Sequence, residues 1–304
     1  MTTSNTTFTT CTAASDSLRL VVVPELGAKI VSLRSVGSGR EWMWRATRDA
    51  ALFRNTLTDP FERSTLTGAD ECLPTVDPCN WQGRNLPDHG EVWASEWQVD
   101  QAQLRWNTVH TEIELPISPL TLKRSISVRG SKAAFEYTLL NRSPEAQKFL
   151  WAFHPLFPVE EDTTIELPGQ IEQVRMTNAS GVSGAPESRD WPWPQPAPGV
   201  RLDRLDFGGK PASAKLFADF SSVEHGFAAL RQDKERLVFE FDRSDVPFLG
   251  IWITRNSWNG YTHLAIEPTN ASCDSLRDVP EADRTVIPGL GKLEWSFRIT
   301  LQYT

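Results

Sequence analysis

A cationic surplus is the first thing this sequence lacks. Its 304 residues carry 31 Lys and Arg against 39 Asp and Glu, a formal net charge of −8. No run of Lys or Arg breaks that balance, so neither a nucleic acid nor an anionic membrane surface is expected as a partner. No stretch is long and apolar enough to span a bilayer. The opening residues, MTTSNTTFTTCTAASDSL, have neither the basic nor the apolar region of a secretory signal, so a cytoplasmic location is expected. Cysteine is scarce, at four residues. Cys72 and Cys79 are close enough in sequence to invite a disulfide, but four cysteines make no disulfide framework, and free thiols are expected. There is no C-x-x-C pair, no H-E-x-x-H and no second histidine two residues from another, so no metal site and no cofactor are expected. Sustained helical periodicity is missing as well.

Aromatic residues are plentiful, with twelve Trp and fifteen Phe, and hydrophobic residues make up 39% of the chain, enough for a large core. Alternating or continuously apolar runs recur from end to end. Leu18 to Val23, Ala28 to Arg34, Trp97 to Val109, Thr111 to Leu115, Leu120 to Val128 and Ala134 to Asn141 read as strands, and Glu41 to Trp44 continues the pattern. A Gly130-Ser131 turn joins two of these into a hairpin. Phe149 to Phe157 is nearly continuously apolar and reads as one buried central strand. Further strands are expected at Thr164 to Leu167, Lys215 to Phe220, Phe227 to Arg231, Arg236 to Phe241, Phe248 to Thr254, His263 to Glu267 and Glu294 to Gln302. Residues 178–200, with four prolines from Pro192 to Pro198, read as a loop or flap that cannot be helical. About fifteen short strands with turn signals between them predict an all-β fold, a large antiparallel β-sandwich, in a single domain spanning 1–304 whose first sixteen residues are a ragged start or an edge strand.

One long irregular stretch stands apart. Residues 68–97, GADECLPTVDPCNWQGRNLPDHGEVWASEW, bring Glu71, Asp88, His89 and Glu91 among Trp81, Trp93 and Trp97, with prolines and glycines throughout. A loop this long is disordered or functional, and its aromatic content argues against disorder. Indole faces beside carboxylates and a histidine suit a sugar. The alternative is a well-packed loop covering one end of a sheet.

Two ionisable groups elsewhere sit in apolar strands. His154 in WAFHPLF needs a partner if buried. It is either a core histidine bonded to backbone or a general acid tuned by burial. Glu267 closes the run HLAIEPT and is either a rim residue or a base projecting into a pocket. His89, followed by a glycine, has Asp88 or Glu91 at hand to orient its ring.

These blocks, taken together, resemble the aldose 1-epimerase (galactose mutarotase) family. The resemblance lies in Val23-Pro24-Glu25-Leu26-Gly27-Ala28, in Gly68 to Pro74, in Leu86 to Trp93, in Leu150 to Pro155, in Gly250-Ile251-Trp252 and in Ile266-Glu267-Pro268-Thr269. It implies a β-supersandwich of the galactose mutarotase type with a monosaccharide site. It further implies that His154 is the general acid toward the ring oxygen, that Glu267 is the base toward the anomeric hydroxyl, and that His89 helps hold the sugar. Candidate substrate ligands are His89, Glu71, Asp88 and Trp93, with Arg54 or Arg63 for an arginine that family members carry. Lys215 or Asp219 stands where members bring an aspartate from a strand in the second half. The expected activity is interconversion of the α and β anomers of an aldose by a monomer or homodimer. A non-catalytic carbohydrate-binding or regulatory protein on the same fold, or a glycoside-processing enzyme with two carboxylates across the scissile bond, are the alternatives.

Overall fold

A computed structural model describes residues 8–47, 51–100 and 107–303. Strands dominate them, and the helical pieces are three-residue 3₁₀ turns. Ten strands form one sheet, in the order Cys11–Ala14, Leu18–Val23, Lys29–Ser35, Ala69–Cys72, Ala152–Phe157, His263–Thr269, Phe248–Arg255, Ala212–Asp219, Gln173–Ser180 and Asp190–Pro192. Eight more form a second sheet, from Thr164–Glu166 through Gly226–Gln232, Glu235–Phe241, Lys292–Tyr303, Lys132–Asn141, Leu120–Arg129 and Thr108–Glu114 to Gln98–Val99. The strands within both sheets pair antiparallel.

Strand alternation explains how the sheets stack. In the first sheet Phe153, Ile251, Ile266 and Leu216 point inward, into a cluster that also holds Phe135, Phe239 and Phe297 of the second sheet. Their neighbours in sequence point the other way. The outer face of the ten-stranded sheet therefore carries Asp70, His154, Glu267, Gly250, Trp252 and Lys215. Residues 73–97 fold over one end of that face. Gly27 fastens them, because a Cβ there would lie 2.1 Å from the Trp93 carbonyl oxygen, in a backbone with φ of +72°. Buried Glu91 fastens them again by accepting hydrogen bonds from the Ile117 and Ser118 amides and the Ser118 hydroxyl.

The expected β-sandwich is present, with particular departures. Glu41 to Trp44 is not a strand. Glu41 makes one bridge to Arg34, and its carboxylate turns back to accept from Ser32, Leu33 and Met43. The run from Phe149 to Phe157 is two strands, not one. Gln147–Phe149 pairs with Thr285–Ile287, and the break at Trp151 is held by Asn270, whose Oδ1 accepts from the Trp151 amide at 2.7 Å. The flap at 178–200 is partly strand, since Gln173–Ser180 runs into it and Asp190–Pro192 lies inside it as the sheet edge. Residues 1–7 and 101–106 of the expected N-terminal segment and of the strand from Trp97 to Val109 lie outside the described residues, and Cys11–Ala14 is an edge strand. All four cysteines are free. No helix among the described residues is long and apolar enough to cross a membrane.

Candidate active site

Register brings two of the expected residues face to face. Ala152–Phe157 and His263–Thr269 pair so that Ala152 meets Thr269 and Leu156 meets Ala265, which sets His154 opposite Glu267. His154 Nε2 lies 3.6 Å from Glu267 Oε1. On the other flank His154 is the cross-strand partner of Asp70, which is paired with Lys29 at 2.5 Å. Glu267 Oε1 and His154 Nδ1 are buried and without a hydrogen-bond partner among the described residues.

A cavity of about 630 Å³ opens above His154, walled by the 60–62 turn, by His89 and Asp88, by Asp77, by Trp252 and Trp258, and by Asp274 and Lys215. His89 enters it at the apex of a turn, with φ of +57°. Its ring stacks on Phe61 at 3.8 Å and stands edge-on to His154 at 5.1 Å. Nδ1–H donates to Asp88 Oδ1 at 2.7 Å, while Asp88 Oδ2 accepts from the Phe61 amide. One carboxylate thus fixes the tautomer of His89 and ties its loop to the turn across the cavity.

Charge in the site follows from this packing. Burial, reinforced by His89, Lys215, His263 and Lys29, pushes His154 well below the usual histidine range, which favours its neutral ring. Burial raises Asp88, but its bonds to His89 and the Phe61 amide outweigh that and hold it below the usual carboxylate range. Burial alone would lower Lys215. Asp274 and Glu267 more than offset it, so the ammonium is held firmly charged. Burial raises Asp274 despite Lys215.

Not every expected residue is here. Glu71 faces the opposite side of its strand, into the space between the sheets. There it accepts from Arg124 at 3.0 Å, from the Tyr137 hydroxyl at 2.7 Å and from Trp151 Nε1 at 2.8 Å. Trp93 lies behind the cavity wall, its Nε1 donating to the Asp88 carbonyl. Arg54 is half exposed and paired with Glu96 away from the cavity. Arg63 does not line the cavity either. Asp219 sits exposed at the end of its strand, capping the Ser221 amide, whereas Lys215 of the same strand enters the site.

The aromatic surface comes from Trp252, Trp258 and Phe61 rather than from the tryptophans of the long loop. Trp252 lies in a block already quoted, with no role attached. Asp274 and the rim residues Asn178 and Arg189 were not foreseen. They come from loops and from a polar strand next to the sheet edge, where no periodicity marks them.

Among solved structures, the Slr1438 protein of Synechocystis sp. PCC 6803 superposes with a TM-score of 0.74 at 16% identity, covering 100% of this chain and 99% of its own. A galactose mutarotase related enzyme from Lactobacillus acidophilus gives 0.69 at 16%, covering 97% and 98%. A galactose mutarotase-like protein from Lactobacillus casei ATCC 334 gives 0.67 at 16%, covering 97% and 100%. At such identities the likeness is one of fold, and the fold is that of the galactose mutarotase-like proteins. No curated protein sequence matches significantly. The family profile described as aldose 1-epimerase matches residues 10–189. The chain belongs to the aldose 1-epimerase family.

Proposed function

We propose that the protein interconverts the anomers of an unphosphorylated aldose, with Glu267 as general base and His154 as general acid. The observation that carries this reading is the pair itself. Two ionisable side chains stand directly opposite on neighbouring strands, 3.6 Å apart at their nearest atoms, with His154 lining the cavity and Glu267 buried beside it. O1 and O5 of an aldose share carbon C1, so a single pose presents one oxygen to each group. Burial favours the neutral His154 ring, so the step requires His154 to gain a proton as the sugar binds. Glu267 then takes the O1 proton, His154 gives its proton to O5, and the C1–O5 bond breaks to leave the open aldehyde. Rotation about C1–C2 and reversal of both transfers close the ring on the other face. Protons balance, and both groups return to their starting forms. Trp252 and Trp258 supply an apolar surface for the C–H face of the sugar, and the Asp88–His89 pair supplies fixed polar contacts. Phosphorylated sugars are disfavoured, because Glu62, Asp77, Asp88 and Asp274 outnumber the cations Lys215 and Arg189 at the cavity.

A second assignment has an observation of its own. A carboxylate on Nδ1 stabilises an imidazolium, and His89 has one in Asp88. In that assignment His89 protonates O5 and His154 holds the sugar. Anomer exchange by NMR, over a panel of free and phosphorylated aldoses, tests both. The first assignment expects His154→Asn and Glu267→Gln each to lower kcat by at least about 100-fold, with His89→Asn milder and raised in KM. A larger kcat loss in His89→Asn than in His154→Asn selects the second. Absence of exchange on every aldose removes the activity, and release of reducing sugar from a glycoside would identify a glycosidase instead.

A further inference from the structure

One strand separates Lys215 from Glu267. Lys215 lies on Ala212–Asp219 and Glu267 on His263–Thr269, with Phe248–Arg255 between them. On that intervening strand the residue paired with Glu267 is Gly250, which is also paired with Phe217. Any side chain at Gly250 would fill the path from one group to the other. A Cβ there would stand 3.1 Å from Glu267 Oε2 and 3.3 Å from Glu267 Cβ. Through this gap the Lys215 chain passes the Phe217 ring, with Nζ 5.4 Å from its centroid, and reaches Glu267 Oε2 at 2.6 Å and Asp274 Oδ1 at 3.2 Å. The lysine head is thus committed to two carboxylates.

Resting on the mutarotase reading above, we propose that Lys215 is a positioning residue for Glu267 rather than a ligand of the sugar, and that Gly250 is the gap that admits it. Lys215 pins one carboxylate oxygen, so the other, Oε1, is turned to His154. A carboxylate with both oxygens free to rotate would lose that aim, and misplacement by about 1 Å costs on the order of 100-fold in rate. The ammonium also sits between the Glu267 and Asp274 carboxylates, and two neighbouring carboxylates without a cation between them favour protonation of one. The other charged or titratable groups about Glu267 are His154 on the neighbouring strand, the buried Cys72 thiol, His89, Asp88 and Asp77 at the cavity, and the buried Lys29–Asp70 pair beyond His154.

The test is steady-state anomer exchange across pH on Lys215→Met, Lys215→Arg and Gly250→Ala, beside wild type and Glu267→Gln. Lys215→Met is expected to lower kcat by roughly 100-fold with KM within about threefold of wild type. The acidic limb of its pH–rate profile should move to higher pH. Lys215→Arg keeps the charge and should restore the limb while recovering only part of kcat, because its planar fork differs from an ammonium. Gly250→Ala keeps the lysine but blocks its path to Glu267, so it should reproduce both the kcat loss and the upward shift of the limb, which guards against a lysine variant that merely fails to fold. An active wild type in which Lys215→Met raises KM, with kcat and the pH limb unchanged, overturns the proposal and makes Lys215 a sugar ligand. A wild type inactive on every aldose removes the mutarotase reading, and the proposal falls with it.

Discussion

Asp70 and Glu71 are adjacent acids with opposite fates, decided by strand alternation alone. Asp70 points to the His154 face, and Glu71 points between the sheets, where it balances a buried Arg124. Removing one partner of such a pair leaves the other charge uncompensated, which costs about 3–5 kcal/mol. Glu71→Ala should therefore lower the stability read by urea denaturation by that amount, while the folded fraction keeps its anomer-exchange rate. His263 is a different kind of buried group. It packs against Trp44 and Trp252 with both ring nitrogens unpartnered among the described residues, and burial pushes it down to about 3 from an ordinary 6.5. Above pH 6.5 the ring is neutral in the folded and unfolded chain alike. As pH falls from 6.5 toward 3 the unfolded chain takes up a proton that the folded chain refuses, so stability is lost at about 1.4 kcal/mol per pH unit from this residue. His263→Phe should flatten the decline of melting temperature between pH 6.5 and pH 4, with little change at pH 8.

Strands with an apolar face were legible from the sequence because their period shows. The hairpin of Leu120–Arg129 and Lys132–Asn141 lies where alternation and the Gly130-Ser131 turn place it. Gln173–Ser180 was not seen, since most of its side chains are exposed or half-buried near a sheet edge and no alternation is required of them. The break at Trp151 was hidden because both halves of the apolar run are buried, each in a different sheet. At the site, His89, His154 and Glu267 stood out as ionisable groups in apolar or aromatic surroundings. Lys215 and Asp219 flank Phe217, the partner of Gly250, by two residues each, and which of them reaches Glu267 depends on side-chain length and on pairing across three strands, which is not written in any one of them. The loop that carries His89 is anchored at Gly27, which makes a prediction at this scale. Gly27→Ala forces a Cβ against the Trp93 carbonyl in a left-handed backbone, so it should destabilise by more than about 1 kcal/mol. It should also raise KM for the sugar more than it lowers kcat, because the loop moves while the two floor strands do not.

For the molecule as a whole, the charge of −8 and the acidic groups at the cavity act in one direction. Both oppose the approach of an anion. Exchange on a sugar 6-phosphate should be slower than on the parent aldose, and added salt should narrow the difference by screening. A rate on the phosphate that exceeds the parent at low salt would contradict this. A far-ultraviolet circular dichroism spectrum dominated by β-structure is expected in solution, and a helical spectrum would contradict the architecture itself.

The strand order has a consequence for how the protein comes into being. Ala69–Cys72, Ala152–Phe157 and His263–Thr269 are neighbours in space and distant in the chain. Closing such long loops carries an entropy cost before any contact rewards it, and sheets dominated by distant pairings fold slowly. A nascent chain released before residue 267 holds His89 and His154 with no base to work with. Recovery of catalysed exchange during refolding therefore reports the late docking of the C-terminal strands, and should lag behind the recovery of β-structure seen by circular dichroism.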